Sequence, residues 1–362
     1  MIYRYGFNQP QRVLSGAGAL EQLPAEMERL GKRRAIVLTG ESLATKTNLV
    51  SRVESVLGEA LAATFSGCKQ HVLSSSVEAA TQHARETNAD SIIAFGGGSP
   101  TDTAKNVAYR LLGDQPRDSM PQIAIPTTLS AGEFTARGGM TDEATRVKGG
   151  VGDERLIPAV VIHDPELTVE TPRQLWLSTG VKALDHAVEA LWSPRAHPVT
   201  DALAMEAIRK LHMYLLPSAD PANLDARAEC LMAAWMSIFG ARNVGMRLSH
   251  PLGHQIGARW NVPHGVTSCI VLPEVMRFLA PTTAAAQAKV ADAFGERGEA
   301  AELVGAMIQS LGVPTRLSEA GAIKEELPDV AAAVSHELSI SRSPDAETAT
   351  EEKLLGILER VW

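Results

Sequence analysis

The 362-residue chain predicts an α/β N-terminal domain built on a parallel sheet, followed by an all-α C-terminal domain. Three observations carry this reading. The length exceeds what one ordinary hydrophobic core accommodates, so two domains are expected. Up to residue 164, short apolar runs alternate with helix-like segments. From Asp164-Pro165 onward, long Ala- and Leu-rich segments dominate and β-branched runs become rare. The expected division is therefore 1–164 and 165–362.

The N-terminal elements can be read in order. Arg34 to Gly40 is a buried strand ending at a turn, residues 43–60 read as helical, and Ala62 to Phe65 is a short strand. Val77 to Thr87 forms a helix for which Ser74-Ser75-Ser76 supplies a cap. Ser91 to Phe95 is a strand running straight into Gly96-Gly97-Gly98-Ser99. Gln122 to Pro126 and Ala159 to Ile162 are further strands. Strands alternating with helices argue for a parallel sheet covered on both faces. The helical segments beyond the boundary fall at 173–193, 198–215, 223–245, 266–279, 283–296, 298–311 and 350–361.

Composition excludes several function classes. The formal charge of -8 argues against a nucleic-acid surface. The three cysteines, Cys68, Cys230 and Cys269, are widely spaced and odd in number, which fits a reducing compartment rather than a disulfide framework. The first residues lack the apolar core of a signal peptide, and no run approaches the ~18 uninterrupted apolar residues of a membrane span. A cytoplasmic location without membrane association is expected.

Two loops suggest ligand chemistry. Gly96-Gly97-Gly98-Ser99-Pro100-Thr101-Asp102-Thr103-Ala104-Lys105 lies where a strand hands over to a helix. Glycines let the backbone turn sharply and approach a bulky anion. Hydroxyls of Ser99 and Thr101 add donors, and the helix beginning near Pro100 aims its N–H groups and positive dipole end at a phosphate. The segment is neither a G-x-G-x-x-G fingerprint nor a P-loop, and an ordinary glycine-rich turn is the alternative. Pro126-Thr127-Thr128-Leu129-Ser130-Ala131-Gly132-Glu133 follows the next strand, at what would be the ligand side of a parallel sheet.

A second constellation is built on histidine. Lys182 and His186 are four residues apart on one helical face, His250 and His254 share the same spacing, and His264 follows shortly after. A lone histidine is usually structural, and His71, His83, His163, His197, His212 and His336 read that way. Three in one short stretch, with His186 on a charged helix, point instead to metal ligation or to proton transfer near neutral pH.

With these residues in view, the chain resembles the iron-type (group III) alcohol dehydrogenase superfamily over nearly its whole length. The resemblance rests on the Gly96–Lys105 run, Pro126-Thr127-Thr128, Asp164-Pro165-Glu166-Leu167-Thr168, the helix with His186, and the His250/His254/His264 run. It implies a dinucleotide-binding α/β domain and a helical catalytic domain, a dehydroquinate synthase-like architecture with the active site in the cleft between them. It also implies that one aspartate and three histidines hold the metal in metal-using members. His186, His250 and His264 match the histidines, but Lys182 stands at the aspartate position. Asp185 cannot simply substitute, because one residue along a helix turns a side chain by about 100°. An ammonium beside a divalent cation would be strongly repulsive, so no metal is expected.

Within the superfamily, Ile125–Thr135, Val147-Lys148-Gly149-Gly150 and Leu175–His186 are similar to maleylacetate reductases. That similarity implies NADH- or NADPH-dependent reduction of maleylacetate, and of chlorinated relatives, to 3-oxoadipate in the bacterial breakdown of aromatic compounds. Gly96, Gly97, Gly98 and Ser99 would cradle the cofactor pyrophosphate, with Thr127, Thr128, Asp102 and Lys148 nearby. Gly40 stands where NAD-selective relatives often carry an aspartate, so NADPH is expected to be tolerated. Lys182, with His186 and His264, would supply a positive field for the dicarboxylate substrate, and His250 or His254 would donate the proton. Near the C-terminus, Ser341-Arg342-Ser343-Pro344 replaces the Asn-Pro-Arg motif of those enzymes. A homodimer is implied. The alternatives are a metal-dependent alcohol or lactaldehyde dehydrogenase, or a dehydroquinate synthase-like lyase.

Overall fold

The computed structural model describes residues 10–112, 120–144 and 148–362, and the side chain of Lys148 lies outside the description. The chain forms two compact units, one ending at Thr171 and the other beginning at Pro172. The division thus follows the Pro165–Thr168 turn, which stays with the first unit.

The first unit is organised by a six-stranded sheet. In chain order its strands are β1 (Arg12–Ser15), β2 (Ala35–Leu38), β3 (Leu61–Phe65), β4 (Ser91–Gly96), β5 (Gln122–Pro126) and, after the hairpin below, β8 (Val160–His163). They lie in the order β1-β8-β5-β4-β2-β3, and every pairing is parallel. Every residue of β2, β4, β5 and β8 is buried, which is why these strands read as continuous apolar runs rather than alternating ones. Val37, Ile93, Phe95, Ile123, Ile125 and Ile162 form part of the core.

The helices of this unit are α1 (Leu23–Arg29), α2 (Glu41–Lys46), α3 (Leu49–Leu57), α4 (Ser74–Glu86) and α5 (Gly98–Arg110). The helix expected over 43–60 is broken at Thr47, whose backbone is extended. The serines before Val77 are not a cap: α4 already starts at Ser74, and Ser76 Oγ donates to the Gly67 carbonyl. A glycine-rich antiparallel hairpin, β6 (Arg137–Thr141) with β7 (Lys148–Gly152), is an element that hydrophobic patterning does not announce. It is anchored by Lys105, whose wholly buried ammonium donates to the Gly132 carbonyl (2.5 Å), Thr135 Oγ1 (2.9 Å) and the Arg137 carbonyl (3.0 Å).

The second unit is helical throughout: α6 (Arg173–Leu191), α7 (Pro198–Tyr214), α8 (Leu224–Val244), α9 (Ser249–Trp260), α10 (His264–Phe294), α11 (Ala300–Ser310), α12 (Leu327–Ile340) and α13 (Glu351–Arg360). From Trp176 to Leu191 every residue of α6 is buried, so this is the central helix, packed against α7, α8 and α10. The two segments expected at 266–279 and 283–296 are the two stretches of α10, separated at Thr283, whose backbone leaves the helical region shortly after Pro281. Helix α10 is long and apolar enough to cross a membrane, but it contains Glu274 and Arg277 and packs against α6, α7, α9, α11 and α13 as a core helix. Helices α9 and α12 are absent from the sequence reading, although α9 carries His250 and His254.

Candidate active site

In the first unit, strands β4 and β5 are neighbours and Gly96 pairs in register with Pro126, so the loops leaving them emerge side by side at the carboxyl edge of the sheet. The Thr127 N–H donates to the Gly96 carbonyl (2.9 Å), and the Thr127 carbonyl accepts from Thr171 Oγ1 (2.7 Å). Gly96 adopts φ +138°, and a Cβ there would lie 2.9 Å from Pro100 Cγ. A Cβ on Gly97 would come within 3.1 Å of Thr128 Cγ2, so the bare backbone opens a cradle flanked by Thr128 and Ser130. Helix α5 begins at Gly98 with no side-chain cap and no acidic residue in its first turn. Its leading N–H groups and dipole end are thus left for an anion, and the arrangement fits a dinucleotide pyrophosphate. Asp102 instead turns its carboxylate to the Gly139 N–H (3.2 Å), fixing the hairpin.

In the second unit, α6 carries Lys182, Asp185, His186 and Glu189 on one face, and all four are buried. Lys182 Nζ donates to Asp185 Oδ2 (3.0 Å) and to His250 Nδ1 (3.1 Å). Asp185 Oδ2 also accepts from Ser268 Oγ (2.7 Å) on α10. Glu189 Oε1 accepts from the Ser249 N–H (2.8 Å) at the start of α9, which fixes the helix that presents His250. Close approach of α10 to α6 requires Gly265, where a Cβ would meet the Ser178 carbonyl at 2.7 Å.

The electrostatics follow from burial. His250 is pushed well below the ordinary histidine range, first by desolvation and then by the Lys182 charge. An ammonium has no acceptor, so His250 Nδ1 must accept and the neutral ring carries its proton on Nε2. His186 is likewise held neutral, by burial and then by Lys182. This corrects the expectation that His186 adds charge to a positive field. Glu189 is pushed up to about 8, first by burial and then by the neighbouring Asp185 carboxylate.

Ring centroids of His250 and His254 are 4.3 Å apart, His250 and His264 5.2 Å, and His254 and His264 5.4 Å, whereas His186 lies 6.4 Å from His250. The tightest set of nitrogens is therefore His250, His254 and His264, all within 4.8 Å of one another, rather than the trio with His186 that the resemblance implies. These three imidazoles could hold a metal. The Lys182 ammonium against His250, where metal-using relatives place a carboxylate, does not fit the four-ligand set of such a site. His254 Nδ1 lies 3.1 Å from Glu337 Oε1 on α12, and Glu337 Oε2 accepts from Gln255 Nε2 (2.7 Å).

The sequence reading missed Glu189, Ser268 and Glu337. Glu189 was legible one turn beyond His186 on the same face. Ser268 and Glu337 reach the site only through packing of distant helices. A separate hollow of about 300 Å³, lined by His212, Leu216, Phe294 and Met307 among others, contains none of these residues.

A parallel-sheet unit whose glycine turn suits a pyrophosphate, joined in one chain to a helical unit with a lysine–histidine cluster, is the organisation expected of a nicotinamide-dependent oxidoreductase. The comparisons agree. Residues 10–165 match the iron-containing alcohol dehydrogenase family, and residues 176–362 match the C-terminal domain of the Fe-containing alcohol dehydrogenase family. A maleylacetate reductase of Sphingobium indicum is 31% identical over 97% of this chain and 95% of its own. A putative alcohol dehydrogenase from Ralstonia eutropha JMP134 superposes with a TM-score of 0.90 at 34% identity, covering 100% of this chain and 98% of the other. Maleylacetate reductase from Agrobacterium tumefaciens gives 0.86 at 27% identity, covering 100% and 98%. The chain belongs to the iron-containing alcohol dehydrogenase family and is an NAD(P)H-dependent oxidoreductase within it.

Proposed function

We propose that this enzyme reduces the C=C bond of maleylacetate, giving 3-oxoadipate in aromatic-compound degradation, and that it does so without a metal. The observation that carries the reading is the buried Lys182 ammonium held against His250 and Asp185. Gly96, Gly97, Gly98 and Ser99 hold the cofactor pyrophosphate, with Thr127 and Thr128 beside them. Reduced nicotinamide, when bound, supplies a hydride equivalent. Reduction at the alkene carbon β to the ketone drives negative charge onto the ketone oxygen. Two of the three Lys182 N–H donors are taken by Asp185 and His250, which leaves the third for that oxygen. The Nε2–H of His250 adds a neutral donor.

His254 protonates the neighbouring carbon. Glu337 Oε1 lies 3.1 Å from His254 Nδ1 and orients that ring, whereas the Lys182 ammonium disfavours charge on His250. Three free, buried cysteines support a reducing, cytoplasmic setting, and a homodimer is proposed by family resemblance alone.

The test is loss of NADH or NADPH absorbance with freshly prepared maleylacetate, with and without a chelator. Activity that survives chelation and is not raised by iron or zinc supports the reading. The His250/His254/His264 set favours one rival, a metal-dependent alcohol dehydrogenase. Chelator-sensitive oxidation of simple alcohols, restored by iron or zinc, would establish that rival instead.

A further inference from the structure

We infer that Asp185, held by Ser268, is a positioning residue that neutralises and aims the Lys182 ammonium, so that a lysine–aspartate pair does the work of one charged site. The inference rests on the proposed role of Lys182. Its physical basis is independent of any substrate. Lys182 is 3% exposed, and burying a charged group is costly unless it is paired and hydrogen-bonded. Among the described residues, the carboxylate in contact with that amine is Asp185, at 3.0 Å and one turn along the same helix. Spacing alone would leave the carboxylate free to rotate. Ser268 Oγ removes that freedom from a second helix, donating at 2.7 Å to the same Oδ2 that receives the ammonium.

The result is a fixed chain, Ser268–Asp185–Lys182–His250, running from α10 through α6 to α9. It sets the ammonium position, and it sets the His250 tautomer as well, because the donated N–H faces Nδ1. The aspartate thereby explains how a lysine is tolerated at a position where metal-using relatives carry a carboxylate. The local charge is balanced within one helical turn, without a cation.

The experiment is a double-mutant cycle in kcat/KM for maleylacetate reduction, using Lys182→Met, Asp185→Asn, the double variant and Ser268→Ala. Circular dichroism and thermal melting report folding. Asp185→Asn is expected to lower kcat by roughly ten- to a hundredfold with KM changed by less than about threefold, the range in which groups that only orient a reacting partner act. Ser268→Ala, the mildest change, should move kcat in the same direction by a smaller factor. Since Asp185 acts through Lys182, the double variant should be no worse than Lys182→Met by more than about threefold, whereas a merely structural role would add in full. A wild-type kcat in folded Asp185→Asn, or full additivity, overturns the inference while an inactive Lys182→Met leaves the Lys182 role standing. A fully active Lys182→Met overturns both.

Discussion

Replacing Lys182 by methionine tests the centre of the proposed chemistry. Methionine keeps much of the stem volume and removes the charge. An ammonium in contact with an oxyanion at ~3 Å gains ~5 kcal/mol at an effective dielectric of ~20. That field is shared, because Asp185 Oδ2 lies 3.0 Å from the same ammonium. If about half survives, ~3 kcal/mol of transition-state stabilisation is lost, or roughly a hundredfold in rate. The loss belongs in kcat, since the charge on the ketone oxygen develops only during reduction. The assay is initial-rate NADH and NADPH oxidation across maleylacetate concentrations, with thermal melting as the control for Asp185 left without its partner. A folded Lys182→Met enzyme with kcat within about threefold of the parent would refute the argument, since no ammonium could then be stabilising the transition state.

Further outcomes follow from the same geometry. Gly96→Ala forces a side chain into φ +138° and against Pro100, which is expected to cost about 1–3 kcal/mol of stability and to weaken NADH binding, read by fluorescence titration. Glu189 is pushed up to about 8 from an ordinary 4.5, so the folded state holds a proton that the unfolded state has released, and stability falls as pH rises through that window. Glutamine keeps the acceptor for the Ser249 N–H and does not titrate, so Glu189→Gln should gain on the parent steadily from pH 4.5 to 8 in urea melts and no further above it. Arg247 and Asp345 form a buried ion pair, with Arg247 also donating to the Trp192 carbonyl (2.7 Å). Asp345→Ala strands the guanidinium and is expected to cost about 3–5 kcal/mol, seen as a lowered unfolding midpoint.

The Ser341–Pro344 departure acquires a structural reading from that last pair. The segment leads directly into Asp345, and Ser343 Oγ accepts from the Asp345 N–H (3.2 Å), so it positions the carboxylate that holds Arg247.

Local and short-range features of this protein were written in the sequence. The buried strands β4 and β5, the glycine turn at their edge and the central helix α6 are each specified by contiguous residues, because strands buried on both faces read as short continuous apolar runs and a central helix as a long Ala- and Leu-rich one. The i, i+4 pairing of Lys182 with His186 is a property of helix geometry alone, whereas the same spacing of His250 and His254 acquires a shared face only through α9. The broken 43–60 segment and the β6–β7 hairpin were decided by packing and by single backbone conformations that apolar patterning does not encode. Charge state was decided by the tertiary structure as well. Only when α6, α9, α10 and α12 pack together do Ser268 reach Asp185, Lys182 reach His250 and Glu337 reach His254. Burial then turns residues of ordinary chemistry into a neutral histidine, a protonated glutamate and a clamped ammonium. That is the step no spacing rule supplies, because desolvation depends on what surrounds a group in three dimensions.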